Sequence, residues 1–292
     1  MTGKVTAAPI RIGVLGAARI ADLTIVRPAR VTGHRLVAVA ARDRRRAEDF
    51  AQRHGVERAF GTYAAILADS DVEAIYNPLA NALHGPWNLA AIQAGKHVLS
   101  EKPAASNADE ARVVRDAAEA ASVTFMEGFH YIYHPVTRRL HELLDSGELG
   151  ELRAAEIDMF MPAPDDGDPR WSYELAGGAL MDIGCYSLHA HRALAHWAGG
   201  PPGVAAARAG ERAGHPGVDE WLEADLEFPG GATRRARCSM AADRRRYRCR
   251  IIGSRGEATA HQRSSPLTRA DGLPRRPVTR SCPRPYPPGA SR

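Results

Sequence analysis

In the stretch MDIGCYSLHAHR, Asp182, Tyr186 and His189 stand at i, i+4 and i+7, so on a helix all three project from one face. A carboxylate, a phenol and an imidazole on one stripe of an otherwise apolar helix are three protonable groups, as acid–base chemistry requires. Taken singly, Tyr186 and His189 also read as satisfied buried side chains. The other histidines form no ligand spacing with them, and no metal is expected.

The stretch HVLSEKPAASN, residues 97–107, sets Glu101, Lys102 and Pro103 directly after the strand-like Val98 and Leu99, with Asn107 placed to open another helix. Solvated loop charges and a loop proline would account for it. GVLGAARIA, residues 13–21, lies between a strand and a helix, where a dinucleotide pyrophosphate meets backbone N–H groups at the positive end of the helix. Read as G-x-G-x-x-G/A it matches at Gly16 and Ala21 and carries Ala18 in the middle. A purely structural tight turn is the alternative. The second strand ends AARDRRRA, where an NAD enzyme places a carboxylate for the ribose 2′-hydroxyl. Arg42 occupies that neighbourhood, which suits a 2′-phosphate and favours NADP. Asp43 keeps NAD open, and the arginines also read as the exposed start of a helix.

The elements around these residues fall into two rhythms. Residues 10 to 128 alternate short apolar runs (IRIGVLG, HRLVAVAA, VEAIYN, KHVLS, VTFME) with helical patterns. Thr62 and Asn107 are placed as N-caps and Gly95 as a helix end. Right-handed β-α-β connections of this kind build an open doubly wound parallel sheet. After residue 128 come a helix at VTRRLHELLDSG, a strand at ELRAAEIDMFM, a helix at GALMDIGCYSLHAHRALAHWAG, and strands at WLEADLEF, TRRARCSM and YRCRIIG, the first two joined through Pro229-Gly230-Gly231. The expected architecture is α/β, with a dinucleotide-binding domain at 1–128 and an α+β domain with a mainly antiparallel open sheet at 129–261. The segment 262–292, with seven prolines and seven arginines, has no hydrophobic period and is expected to be a disordered tail. A departure from the original reading frame in a G+C-rich coding region gives the same composition and is the favoured reading of this segment.

At 292 residues and 44% hydrophobic, the chain can bury the cores of two domains. It has neither an apolar run of ~18 residues nor a secretory h-region, so a soluble cytoplasmic protein is expected. Cys185, Cys238, Cys249 and Cys282 show no paired spacing and read as free thiols. The net charge of +5 is set by the tail, since residues 1–261 carry −1. Nucleic-acid binding needs a basic face. The only dense run before the tail, RRARCSMAADRRRYRCR, alternates charged and apolar residues like the two arms of a half-exposed hairpin.

GVLGAARIA, YNPLANALH, AGKHVLSEKPAASN, MEGFHYIYHP, GGALMDIGCY and GVDE together resemble, in order and spacing, the Gfo/Idh/MocA family of NAD(P)-dependent oxidoreductases. The likeness is greatest to the branch of NADP-dependent D-xylose dehydrogenases and dimeric dihydrodiol dehydrogenases. It implies a Rossmann domain and hydride transfer between a nicotinamide and a carbinol or carbonyl carbon of a sugar or cyclic diol. It makes Lys102 the residue beside nicotinamide and substrate, at the C-terminal end of a parallel strand where such sheets bind ligands. Tyr186 becomes the proton acceptor tuned by Lys102, and Asp182 its companion. Cofactor contacts are implied for Gly13, Gly16, Ala17, Ala18, Arg19 and Ile20 in the first turn. Further contacts are implied for Arg42, Pro78, Asn81, His84, Glu101 and Lys102, with Asn81 and His84 in the NPLANALH loop. His84 reads equally as a helix-start residue. Substrate contacts are implied for Lys102, Arg170, Trp171, Asp182, Tyr186 and His189, with Tyr131 and Tyr133 as further aromatics. Family members continue the second sheet and close it with a helix, so the tail is expected to leave YRCRIIG without part of its sheet. A homo-oligomer follows if that domain folds. An inactive NADP-binding protein, or the unstable product of a disrupted gene, is the competing expectation.

Overall fold

The computed structural model of the chain describes residues 8–262 and 279–281. They form two units, one running to Phe129 and including Glu174–Ala176, the other comprising His130–Tyr173 and the chain from Gly177 onward.

In the first unit, strands β1 (Arg11–Leu15), β2 (Arg35–Ala40), β3 (Arg58–Phe60), β4 (Ala74–Asn77), β5 (His97–Ser100) and β6 (Phe125–Glu127) alternate with helices α1 (Arg27–Thr32), α2 (Arg44–His54), α3 (Tyr63–Leu67), α4 (Asn81–Gln93) and α5 (Ala108–Ala121). The sheet is parallel, in the order β3-β2-β1-β4-β5-β6. β1 and β2 are buried along almost their whole length, as befits strands covered on both faces. One core packs Val14, Val39, Phe50 and Tyr76 on one face, and a second packs Leu15, Ile66, Ile75, Ile92 and Val98 on the other. Strand order reverses between β1 and β4, the switch point at which open α/β sheets hold ligands.

The expected caps are present: Thr62 accepts from the N–H of Ala65, and Asn107 from those of Asp109 and Glu110. α4 starts four residues before the GPWNLAAIQAG pattern, so Asn81 and His84 stand on its first turn and not in a loop. Pro86 forfeits one helical hydrogen bond without ending the helix.

The second unit holds α6 (Pro135–Asp145), β7 (Leu152–Phe160), a helical stretch over 180–197 whose α-helical part is α7 (Cys185–Ala193), then β8 (Gly203–Glu211), β9 (Asp219–Glu227), β10 (Thr233–Ser239), β11 (Arg246–Gly253), β12 (Glu257–Gln262) and β13 (Thr279–Ser281). Its sheet order is β13-β12-β11-β7-β10-β9-β8, antiparallel except for β7 with β10. β9 and β10 form the hairpin expected at Pro229-Gly230-Gly231.

Two expectations are corrected here. The arms of RRARCSMAADRRRYRCR, β10 and β11, do not pair with each other, because β7 lies between them. β11 is not a sheet edge either, since β12 pairs along its other side. Of the expected tail, only Gln262 and Thr279–Ser281 lie among the described residues, and both are strand. The rest, Cys282 included, lies outside them.

β7 separates the two arginine-rich strands because its carboxylates pair with both. Asp158, 1% exposed, accepts from Arg237 Nε at 2.8 Å and Arg248 Nε at 2.9 Å, while Arg248 also reaches Glu156 at 2.7 Å. Arg235, Arg237, Arg248 and Arg250 of the basic run are thus ion-paired within the sheet. Deleting a buried partner strands the opposite charges, and both arginines are about a quarter exposed, which softens the loss. Asp158→Ala is expected to cost about 2–3 kcal/mol, measured as a lowered urea midpoint; an unshifted midpoint contradicts this account of the sheet.

Candidate functional site

The turn after β1 forms one wall of a cleft. Gly16 has φ +85°, and a Cβ there would lie 2.8 Å from Leu79 Cδ2, so both conformation and space require glycine. Its N–H donates to Ala40 O. Among the described residues, the N–H groups of Ala17, Ala18 and Arg19 find no backbone acceptor. They stand ahead of the helical turns that begin at Asp22, an arrangement suited to an anion. The cleft, about 130 Å³, is lined by Gly16, Ala17, Ala18, Ala41, Arg42, Arg46, Tyr63, Pro78 and Leu79.

At its far end Arg42 and Arg46 converge on Tyr63. Burial pushes that phenol up and the two guanidinium groups pull it back. Arg46 also reaches Ala17 O at 3.4 Å. Asp43 is engaged elsewhere, its carboxylate capping α2 through the N–H of Arg45 at 2.9 Å. The donor set therefore fits a dinucleotide whose ribose carries a phosphate. Of the residues expected here, Gly16, Ala17, Ala18, Arg42 and Pro78 line the cleft. Arg19 is exposed, and Ile20 continues the turn. Gly13 sits inside β1, where a Cβ would press on Val72 and Ile66 at 3.0–3.1 Å, a packing role. Ala41, Arg46, Tyr63 and Leu79 also line the cleft, beyond the residues the sequence singles out. Arg46, on the first turn of α2, belongs to the same arginine-rich run as Arg42, whereas Tyr63 arrives through β3, a three-residue strand without a pattern.

The ends of β4 and β5 are tied by a sealed polar cluster. Asn77, His84, Asn88 and Ser100 are at most 1% exposed. Asn77 Nδ2 donates to Asn88 Oδ1 at 2.8 Å, Asn88 Nδ2 to Ser100 Oγ at 2.9 Å and Ala104 O at 3.0 Å, and Ser100 Oγ to Glu101 O at 2.9 Å. The His84 ring lies between Pro103 O, 2.6 Å from Nδ1, and Leu79 O, 2.9 Å from Nε2. Burial lowers its pKa against the pull of both carbonyls. The Glu101 carboxylate accepts the Tyr76 hydroxyl at 2.8 Å, and Ala104 N–H donates to Glu127. Lys102 is thus held from both flanks, and its bond to Pro103 is cis. Asn81 donates to Ala176 O at 2.9 Å. Glu101 and His84 accordingly serve the loop that carries Lys102.

In the second unit, the turn Gly177-Gly178 precedes the helix that bears Asp182 and Tyr186. A Cβ on Gly177 would fall 2.4 Å from Arg170 O, and one on Gly178, at φ +112°, 2.1 Å from Asp219 Oδ1. Asp219 caps that helix by accepting the N–H of Leu180 at 2.7 Å, and burial raises its pKa. It is the aspartate of GVDE, a stretch that signalled no role by itself. Arg170 grips Asp168 through two hydrogen bonds of 2.8 and 2.9 Å and lies 3.7 Å from Asp182. Trp171 is 2% exposed, packed in the core with Ile183 and Met240, so the structure places it away from any surface a substrate could reach. Tyr186 is flanked by the rings of His130 and Tyr131, and the Tyr131 hydroxyl lies 2.6 Å from His189 Nδ1.

Residues 10–129 match the oxidoreductase family with an NAD-binding Rossmann fold, and residues 137–259 match the GFO/IDH/MocA C-terminal domain. D-xylose 1-dehydrogenase (NADP(+)) 2 of Haloferax volcanii is 38% identical, over 89% of this chain and 78% of that protein. Trans-1,2-dihydrobenzene-1,2-diol dehydrogenase of Mus musculus is 32% identical, over 80% and 69% respectively. The crystal structure of KijD10, a 3-ketoreductase from Actinomadura kijaniata in complex with NADP and TDP-benzene, aligns with a TM-score of 0.81 at 31% identity, covering 88% of this chain and 78% of that one. With both domain families matched in sequence order, the chain belongs to the Gfo/Idh/MocA family of oxidoreductases.

Proposed function

We propose that the protein is an NADP-dependent oxidoreductase that moves a hydride between the nicotinamide and a carbinol or carbonyl carbon of a sugar or cyclic diol. The observation that carries this reading is the cleft at the β1/β4 switch point, where unpaired turn N–H groups and two guanidinium groups converge and Asp43 is spent on a cap. When bound, the nicotinamide supplies the hydride acceptor at C4. Ala17, Ala18 and Arg19 bind the pyrophosphate, and Arg42 and Arg46 bind the 2′-phosphate. Lys102, half-buried at the exit of β5, polarises the reacting oxygen as a cation. Tyr186 takes the hydroxyl proton in oxidation and returns it in reduction. Asp182, neighboured by Arg170, orients the substrate together with His189.

The substrate class is supported by the two dehydrogenases, named for a sugar and a cyclic diol, at 38% and 32% identity. A homo-oligomer in the cytoplasm completes the proposal. The charged face of the second sheet offers a surface for the former, and among the described residues no helix is long and apolar enough to cross a membrane. A nucleic-acid partner is not part of it, because Arg237, Arg248 and Arg250 are paired with sheet carboxylates.

The purified full chain is expected to reduce NADP with D-xylose or a trans-dihydrodiol, followed through NADPH absorbance; no turnover with sugars or diols contradicts the reading. Lys102→Met should lower kcat by ~10²–10⁴-fold and leave NADPH affinity within a few fold. Retained turnover would remove Lys102 from the chemistry. Loss of one charge-assisted contact costs ~1.5–3 kcal/mol, so Arg42→Ala and Arg46→Ala should each weaken NADP binding about tenfold or more while NAD binding stays close to wild type. Equal losses for the two cofactors, measured by titration calorimetry, would contradict the 2′-phosphate assignment.

A further inference from the structure

Tyr131 lies in the short helical turn His130–Tyr133 ahead of α6, and its hydroxyl sits 2.6 Å from Nδ1 of His189. Its ring stands edge-on to two others, with centroids 5.6 Å from the His189 ring and 6.1 Å from the Tyr186 ring. His130 approaches Tyr186 at 6.0 Å in the same T-shaped manner. One short segment therefore holds both Tyr186 and the histidine one turn further along α7.

The proton positions follow from the surroundings. Burial pushes the Tyr131 phenol far above its ordinary value, with Cys249 on β11 and Cys185 and Tyr186 on α7 adding to it, so the phenol keeps its proton. Burial, and then Arg192 on α7, push His189 down, so the imidazole is neutral. A phenol is the stronger donor of the pair and an unprotonated ring nitrogen the stronger acceptor. Tyr131 therefore donates to Nδ1, and the single ring proton of His189 rests on Nε2. In that tautomer neither nitrogen has a lone pair left for a substrate proton.

We propose that Tyr131 is a positioning residue: it locks His189 as the Nε2–H tautomer, so that His189 meets the substrate as a hydrogen-bond donor and not as a base, and it braces the ring of Tyr186. This rests on the reading of Tyr186 and His189 as substrate-side residues.

Long-range proton–nitrogen NMR of the uniformly ¹⁵N-labelled full chain reads the tautomer directly, with His189→Gln identifying the resonance. Wild type at about pH 8 is expected to show a protonated Nε2 and an accepting Nδ1, since the lowered pKa leaves the ring neutral there. In Tyr131→Phe the ring should become a mixture of tautomers and titrate about half to one unit higher, because a donor to the neutral form is gone. Its kcat/KM should fall about tenfold with KM for NADP unchanged. His189→Gln, whose amide N–H replaces the Nε2 donor, should retain more kcat/KM than His189→Leu. Protonated Nδ1 in wild type, a Tyr131→Phe variant matching wild type in tautomer or in kcat/KM, or equal activity of the two His189 variants would overturn the proposal. The resonance is read without substrate, so a chain with no turnover contradicts the functional reading while the tautomer still decides this one.

Discussion

Four polar side chains sealed from water at the ends of β4 and β5 decide where the reactive loop runs. Each amide, hydroxyl or imidazole left unpaired in such a place costs about 1–3 kcal/mol, and a partly satisfied buried network is worse than none. Asn77, Asn88 and Ser100 meet that demand by bonding one another and the carbonyls of Glu101 and Ala104, and His84 sets its ring nitrogens against the carbonyls of Pro103 and Leu79. Those carbonyls belong to the two loops that leave β4 and β5, so satisfying the cluster fixes the path of both. Lys102 is carried between two of the anchored residues. Leu79, anchored from the other side, fills the space that a side chain at position 16 would need. The turn that faces the dinucleotide and the loop that carries the lysine are therefore held by one set of contacts.

The second unit applies the same logic with charge. Asp219 occupies the volume a Cβ on Gly178 would take and caps the helix that carries Asp182 and Tyr186. Asp158 and Glu156 on β7 draw arginines from the strands on either side. An arginine-rich stretch that reads in sequence as the two arms of a half-exposed hairpin supplies the lacing of a sheet, and the charges of Arg235, Arg237, Arg248 and Arg250 are spent internally. The net charge of residues 1–261, −1, is consistent with that use.

Much of this was legible. The alternation of apolar runs and capped helices marks β1, β2, β4, β5 and β6; in β1 and β2 both-face burial leaves continuous apolar runs, and Thr62 and Asn107 end the ambiguity at two helix starts. β3, β8 and β12 were not legible. β3 is three residues long, β8 is an exposed run rich in alanine and glycine, and β12 turns only Ala258 and Ala260 inward. Small side chains leave no contrast to read. The hairpin mistaken in RRARCSMAADRRRYRCR shows the limit of local pattern, since β10 and β11 alternate as a hairpin would and only the carboxylates of β7, some eighty residues away, separate them. In the site, residue types with distinctive chemistry stood out, and positions decided by space did not: Trp171 reads as a contact and is core, while Tyr63 and Asp219 acquire their roles only through tertiary neighbours.

The claim on which these roles converge is that the chain passes a hydride from a sugar or diol carbon to NADP. Incubating the full chain with NADP and D-xylose deuterated at C1, or a cyclic diol deuterated at its carbinol carbons, and examining the recovered cofactor by NMR tests that transfer at the atom concerned. The account predicts a single deuterium at C4 of the nicotinamide, all on one face. Cofactor that stays oxidised or undeuterated, although the chain binds NADP, would contradict it.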